Sequence, residues 1–423
     1  MTELVQILSD VQKQAFNTIE RTNSNVLILG QAGTGKSTFV NYLKGASSKR
    51  IVCACPTAVS ALNIGGQTIH SLFQIQPRDF IMPEFLKLKA KTRNILVATD
   101  VLIIDEISMV APDLLDAMDL LARNARRNNE PFGGIQIVAI GDLFQLPPVI
   151  VTDAVDYYKQ EYGFENSYFF DSHVYKRANF IRFSFDKVYR QNDGALLENL
   201  IRLRGGDLTA LDFFNKCKIE NPEKRANAVL ITPYRAMAES INASRLRAIA
   251  APDITFVGEM TGSFVEKDVP APMRLTLKVG ALVVFVKNSD KWHNGSMGRV
   301  LEISTRGIKV ELLNAARTVV NVKPEKWEKI EYVRDENDRL QEHEIGAYKQ
   351  FPLNLGYAMT IHKAQGKTLD AVVVDISRGA FAHGQTYVAL SRTRAAADMH
   401  VASTLRARDV IFDKRVLEFM NAE

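Results

Sequence analysis

The chain has 423 residues, 46% of them apolar and 24% charged, with a net charge of +5. That length is a prior for two to four domains, and that composition supplies a globular core. The mild positive surplus permits local nucleic-acid patches without a basic tail, and three cysteines exclude a disulfide framework.

In chain order, MTELVQILSD lacks the basic and apolar regions of a presequence. No later apolar run approaches the roughly 18 residues of a membrane helix. VLIL (26–29), RIVCAC (50–55), VLIID (101–105) and IQIVAIG (135–141) read as buried strands. Amphipathic stretches such as DLLDAMDLLARNARR (113–127) separate them, so a parallel sheet covered on both faces is predicted. Cys53 and Cys55 have no second Cys or His pair at metal spacing and read as two strand residues on one face. A second alternating set begins near residue 180, with a helix over 195–206 closed by glycine, a strand over 228–233 and a helix over 235–248. The texture then changes. Strand-like runs at 275–287, 298–304, 307–313 and 317–322 are separated by turn signals such as Asn294-Gly295 and Arg306-Gly307. After this β module come a strand (371–376), a helix (384–394), a strand (399–403) and a last helix (413–421). The predicted fold is α/β, as two domains with a small β module inserted in the second.

LILGQAGTGKSTFV (27–40) places Gly30-x-x-x-x-Gly35-Lys36-Ser37 between a strand and a helix, the context a phosphate-binding loop requires. Backbone amides across Ala32, Gly33, Thr34 and Gly35 would cradle phosphate oxygens, joined by the helix start through Thr38. Lys36 would reach the β- and γ-phosphates, and Ser37 would ligate Mg²⁺. VLIIDEISM ends a strand on Asp105-Glu106: Asp105 suits Mg²⁺, and Glu106 suits deprotonating an attacking water. Taken alone, such a pair is equally a helix cap; beside a phosphate loop it indicates hydrolysis. Gln145 in GDLFQLPPV leaves a third strand and suits sensing the γ-phosphate, or is a polar turn residue. No guanine-reading Asn-Lys-x-Asp occurs, so ATP is the expected nucleotide.

A second tripeptide, Gly366-Lys367-Thr368, looks like the end of another phosphate loop. The glycine such a loop needs is replaced by Ile361, and only Leu369-Asp370 precede the strand AVVVDI. No helix fits after the lysine, so one nucleotide site is expected.

LSDVQKQAF, GQAGTGKS, CPTAVSALNIGGQTIHSLF, LIIDEISM, PFGGIQIVAIGDLFQLPPV, VYRQND, AMTIHKAQGKTLD and GQTYVALSRTR resemble, in order, the motifs of superfamily 1 DNA helicases. PFGGIQ leading into GDLFQLPPV resembles the signature stretch of the Pif (petite integration frequency) family, group B. Cys55 stands where an alanine is common. The resemblance implies two RecA-like P-loop domains with parallel sheets, a small wedge insert in the first and an SH3-like all-β insert in the second. Domain 1 would span 1–180 with a wedge near 74–98, and domain 2 would span 181–251 and 346–423 around an insert at 252–345.

The resemblance further implies ATP- and Mg²⁺-driven 5′→3′ translocation on single-stranded DNA, with unwinding of junctions, duplexes and G-quadruplexes in replication, recombination, repair or telomere maintenance. A monomeric, minimal helicase core is expected, cytoplasmic in a bacterium or phage-infected cell and nuclear if eukaryotic. Gln12 resembles the glutamine that reads adenine, though it also reads as an exposed helix residue. Arg190 and Arg392 resemble arginines that reach the γ-phosphate, and Gly366 joins the nucleotide set. Thr57, Thr68, His70, Ser71, Thr232 and Asn242 are expected DNA contacts, since hydroxyls, amides and imidazoles grip phosphates without reading sequence. Thr360, His362, Lys363 and Gln365 resemble the element linking nucleotide state to DNA grip. Phe73, Trp292 and Phe351 read equally as base-stacking or core residues. Two other readings stay open: a RecD-like or Dda-like helicase, and an ATP-gated DNA-binding remodeller that does not unwind.

Overall fold

The computed structural model describes residues 8–189, 193–220, 227–304, 306–314, 316–337 and 339–422; Arg190 lies outside them. The chain divides into two compact units, one of Met1–Leu143, Pro147–Val188 and Glu328–Ala347, the other of Phe144–Leu146, Tyr189–Trp327 and Tyr348–Glu423.

The first unit begins with α1 (Asp10–Arg21), started by a capping box between Ser9 and Gln12. Then follow β1 (Asn25–Gly30), α2 (Lys36–Ala46), β2 (Ile51–Cys55), α3 (Ala58–Ile64), β3 (Gln67–Thr68), α4 (Ile69–Phe73), α5 (Ala90–Ala98), β4 (Val101–Ile104), α6 (Pro112–Arg126), β5 (Gln136–Gly141) and β6 (Phe180–Phe185). The sheet order is β3-β2-β4-β5-β1-β6, every pairing parallel. Alternate residues Val26, Ile28, Cys53, Cys55, Val101, Ile103, Val138 and Ile140 share one buried face with Ile19, Phe39 and Leu43 of the helices. Burial pushes the Cys53 thiol up to about 12 and raises Cys55 as well, so both behave as small apolar residues. The expected wedge region contains a 3-10 turn (Pro83–Phe85) and α5.

Helix α6 is more than an amphipathic spacer. Its buried face carries acids three residues apart, each closing a loop. Asp113 accepts from Ile81 N at 2.7 Å and Tyr158 Oη at 2.8 Å. Asp116 accepts from Val174 N at 2.8 Å and Tyr162 Oη at 3.2 Å. Asp119 accepts from Phe132 N at 2.7 Å, Arg123 Nε at 2.8 Å and Arg177 Nη2 at 2.9 Å. The PFGG stretch is thereby held in successive left-handed residues, Phe132, Gly133 and Gly134 at φ 54°, 62° and 74°. A Cβ on Gly133 would meet Ala122 O at 2.6 Å, so glycine is required there.

After the first long segment come α7 (Gly194–Arg204), β7 (Val229–Thr232), α8 (Arg235–Arg247), β8 (Ile254–Val257), β9 (Glu259–Gly262), β10 (Arg274–Leu277), β11 (Leu282–Phe285), β12 (Met297–Ser304), β13 (Gly307–Leu312), β14 (Val319–Val322), β15 (Glu325–Arg334), β16 (Leu340–Gln350), β17 (Leu353–Leu355), β18 (Ala358–Thr360), α9 (Ile361–Ala364), β19 (Val372–Val374), α10 (Gln385–Leu390) and β20 (Met399–Val401); all belong to the second unit except β15 and β16, most of whose residues belong to the first. A parallel sheet runs β18-β7-β19-β20. An antiparallel sheet runs β14-β13-β12-β11-β17 over its own core of Leu277, Val283, Phe285, Val300, Ile308, Val310 and Leu353. The run expected as one strand over 275–287 is two, β10 and β11, broken at Gly280 with φ 91°. The helix expected over 384–394 is only α10, ending before Arg392.

The sequence places 252–345 in one β insert, but residues Glu328–Ala347 pack with the first unit. There Tyr332 Oη accepts from Cys53 N at 3.1 Å and donates to Gly65 O at 3.5 Å. Glu342 pairs with Lys44 at 3.4 Å, and Glu331 pairs with Lys91.

Candidate functional site

The phosphate loop joins β1 to α2. Gly33 and Gly35 have φ of 84° and 80°, left-handed values that suit glycine. Gly30 is closed in, since a Cβ would lie 2.7 Å from Thr34 Oγ1 and 2.8 Å from Phe185 O. Thr34 is buried and donates to Gln31 O at 2.9 Å, fixing the curl of the loop; Ala32 is buried beside it. Lys36 Nζ donates to Gly30 O at 2.6 Å and Gln31 O at 2.9 Å, so its ammonium spans the loop. Ser37 and Thr38 are exposed in the first turn of α2, where helical N–H groups lack carbonyl partners. Gln12 is not the exposed helix residue of its plainer reading: it is buried, and its Nε2 donates to Thr34 O at 3.3 Å.

Asp105 leaves β4 buried, its amide donating to Ala54 O at 3.0 Å and its Oδ1 accepting from Glu106 N at 2.9 Å. Burial pushes the Asp105 carboxyl above its ordinary range, while the Glu106 amide and the Lys36 charge pull it back. Lys36 and Asp105 are thus within electrostatic reach of each other. Glu106 has φ 55°, left-handed for a residue with a side chain, a strain of roughly 1–3 kcal/mol that concentrates at functional sites. The hydroxyl of Ser37 and the carboxylate of Asp105 are hard oxygen donors, and Mg²⁺ takes one or two protein ligands plus phosphate oxygens. The donor chemistry of this loop therefore fits Mg²⁺ with a nucleotide phosphate.

Gln145 is buried and belongs, with Phe144 and Leu146, to the second unit. It lies against Gly384, the residue before α10, whose φ is 74°. Past α10, Arg392 is fully buried. Its Nε donates to Val388 O at 2.6 Å, Nη1 to Ala364 O and Lys367 O at 3.3 Å each, and Nη2 to Ser391 Oγ at 2.6 Å. Expected as a cation presented to phosphate, Arg392 here ties the end of α9 to α10.

Three candidate DNA contacts repeat one device. Thr57 lies just past a parallel strand and Thr68 and Thr360 end one, and each caps a short helix, accepting from Ser60 N at 3.2 Å, Ser71 N at 3.1 Å and Lys363 N at 3.3 Å. His70 and Ser71 are half-buried on α4, His362 and Lys363 are exposed on α9, and Gln365 ends that helix. Gly366 is exposed with φ 74°. Two expected contacts are committed inside the second unit. Thr232 is fully buried, its hydroxyl donating to Met237 Sδ at 3.4 Å. Asn242 clamps the Ala358 peptide, donating to its O at 2.8 Å and accepting from its N at 2.9 Å. The Thr232 hydroxyl is thus turned toward α8, and the half-buried Asn242 positions β18. Of the stacking candidates, Phe73 and Phe351 are buried. Trp292 is half-buried: it packs on Phe285 with centroids 4.5 Å apart, donates Nε1 to Lys287 O at 3.0 Å and lies against the core of the antiparallel sheet. Missed by sequence reading were the acids of α6, whose signal is an Asp every third residue on an apolar face, and Tyr332, which has no local signal.

A PIF1-like helicase family model matches residues 7–199. The chain is 31% identical to the ATP-dependent DNA helicase PIF1 of Emericella nidulans, over 96% of this chain and 62% of that one. It is 29% identical to the ATP-dependent DNA helicase Pif1 of Bdellovibrio bacteriovorus, over 97% of this chain and 91% of that one. It therefore spans less than two thirds of the fungal relative and nearly all of the bacterial one. The crystal structure of Bacteroides sp Pif1 with ADP-AlF4 matches with a TM-score of 0.88 at 31% identity, covering 98% of this chain and 96% of that one. The same Bacteroides protein bound to ssDNA matches with a TM-score of 0.69 at 32% identity and the same coverage. The parallel sheets are those of a RecA-like fold, and the chain belongs to the PIF1-like helicase family.

Proposed function

We propose that this chain is an ATP-dependent DNA helicase that moves 5′→3′ on single-stranded DNA as a monomer and opens duplexes, junctions and G-quadruplexes. The observation that carries the reading is the phosphate cradle of β1 and α2 beside the strained Asp105–Glu106 turn. Loop amides and Lys36 hold the β- and γ-phosphates, and Gln12 orients the adenine. Ser37 and Asp105 would hold Mg²⁺, which supplies charge neutralisation of the phosphates. Glu106 takes the proton of the attacking water. Gln145 senses the γ-phosphate, and Arg190 and Arg392 lend positive charge to it.

Coupling to DNA follows from Arg392. Turned toward phosphate, its guanidinium would release the carbonyls of Ala364 and Lys367, freeing the segment that carries Thr360, His362, Lys363 and Gln365. Thr57, Thr68, His70 and Ser71 offer equivalent phosphate contacts in the first unit. Single-stranded DNA as partner is supported by the Bacteroides relative's DNA-bound structure, and polarity and G-quadruplex opening by family resemblance.

Strand displacement on 5′-tailed and 3′-tailed duplexes tests the reading. ATP-dependent release from the 5′-tailed substrate is expected. Preference for the 3′ tail would overturn the polarity, and DNA-stimulated hydrolysis without release would make the protein an ATP-gated remodeller.

A further inference from the structure

The segment leaving β18 carries a cation with no role so far. Lys367 is pinned at both ends of its backbone: its amide donates to Ala364 O at 3.1 Å, and its carbonyl accepts from Arg392 Nη1 at 3.3 Å. Its side chain is packed on most sides and only partly open to solvent. Among the described residues no carboxylate or other acceptor meets its ammonium. The charge acting on it is alike in sign, that of Lys363. The acid of this segment, Asp370, is committed elsewhere: its Oδ2 accepts from Met297 N at 2.8 Å, and its Oδ1 lies 3.6 Å from His293 Nε2.

A half-buried cation without an anion is destabilising, and proteins avoid it unless a ligand completes the site. The position suits a ligand. The segment leaves the C-terminal end of a parallel strand, the edge where α/β sheets bind ligands. The adjoining Gly366, with φ 74°, leaves open space where a Cβ would be.

We propose that the Lys367 ammonium is a phosphate contact, completed by an oxygen of the nucleotide phosphates or of the DNA backbone. The choice of phosphate rests on the helicase reading; the need for an anion does not. Burial and the Lys363 charge push this ammonium down to about 8, so near that pH about half the molecules carry it neutral. Phosphate restores the charge, and the lysine takes up a proton from solvent as the ligand binds.

Isothermal titration near pH 8, in two buffers of different ionisation enthalpy, measures that proton. One arm uses Mg²⁺ with a non-hydrolysable ATP analogue, the other oligo(dT), each against the wild type, Lys367→Met and Lys367→Arg. The wild type is expected to take up a fraction of a proton, absent in Lys367→Met, with one ligand. Lys367→Met should bind that ligand about tenfold more weakly. Lys367→Arg should restore affinity without the uptake, and the responding arm identifies the phosphate. Lys367→Gln replaces the Met variant if that fails to fold. Equal uptake and affinity in wild type and uncharged variant for both ligands would overturn the inference and leave the helicase reading intact. A wild type that binds neither ligand would remove both.

Discussion

Gly384 packs so closely on Gln145 that a Cβ on the glycine would lie 2.5 Å from the Gln145 carbonyl oxygen. The opposing atom is backbone, so it cannot turn aside, and the φ of 74° already disfavours a side chain. Gly384→Ala should lower stability by roughly 1–3 kcal/mol and move Gln145. A lowered melting temperature with lowered ATP turnover is expected; an unchanged enzyme would show that this contact does not set Gln145.

Glu106→Gln keeps the size of the side chain and removes the base. Turnover should fall by about 10²–10⁴-fold. Binding of a fluorescent ATP analogue should stay within experimental error of the wild type. Normal hydrolysis would exclude Glu106 as the proton acceptor.

Arg392→Ala strips donors from the carbonyls of Val388, Ala364 and Lys367. Val388 O keeps the Ser391 hydroxyl and Ala364 O keeps the Lys367 amide, so the loss falls mainly on Lys367 O, at roughly 1–3 kcal/mol for a buried acceptor left alone. Thermal melting should fall and DNA-stimulated turnover should vanish, while nucleotide affinity stays near normal. Full stimulated turnover in a folded variant would leave the arginine a purely structural tie.

Asp119→Ala leaves the buried Phe132 amide without its acceptor and frees Arg123 and Arg177. Urea unfolding should report a loss of about 2–4 kcal/mol. A negligible loss would mean that the PFGG stretch holds its left-handed path unaided.

The Asp370 carboxylate, 3.6 Å from the ring, holds His293 above its ordinary pKa, against the opposing effect of burial. A pKa raised by folding contributes stability that is complete below the unfolded value and lost as pH rises through the folded one. The wild type should therefore melt at a lower temperature as pH rises from about 6 through neutrality. His293→Gln should flatten that slope, and an identical profile in the variant would remove the pair as its source.

Much of the first unit is legible in the sequence because its signals are local. Buried strands such as VLII and QIVAIG are uninterrupted apolar runs, and the phosphate loop is a contiguous motif. What stays hidden depends on distant chain. The β15–β16 hairpin reads as a charged stretch because most of its side chains are not buried, yet Tyr332 reaches Cys53 from far along the sequence. Thr232 and Asn242 have the right chemistry for phosphate, but only their partners in the fold, Met237 for the one and the Ala358 peptide for the other, show where they are used. The burial of Arg392 likewise depends on carbonyls some thirty residues earlier, beyond the reach of any motif.

The exchange of short segments between the two units bears on any attempt to dissect the molecule. A fragment ending at Val188 would lack Tyr332 and the hydroxyl that meets the Cys53 amide. A fragment starting at Tyr189 would lack Phe144, which lies beneath the Arg204 guanidinium at 4.4 Å and stacks on Phe412 at 6.2 Å. Neither half is a contiguous autonomous piece, so a single proteolytic nick between them should yield fragments that co-purify.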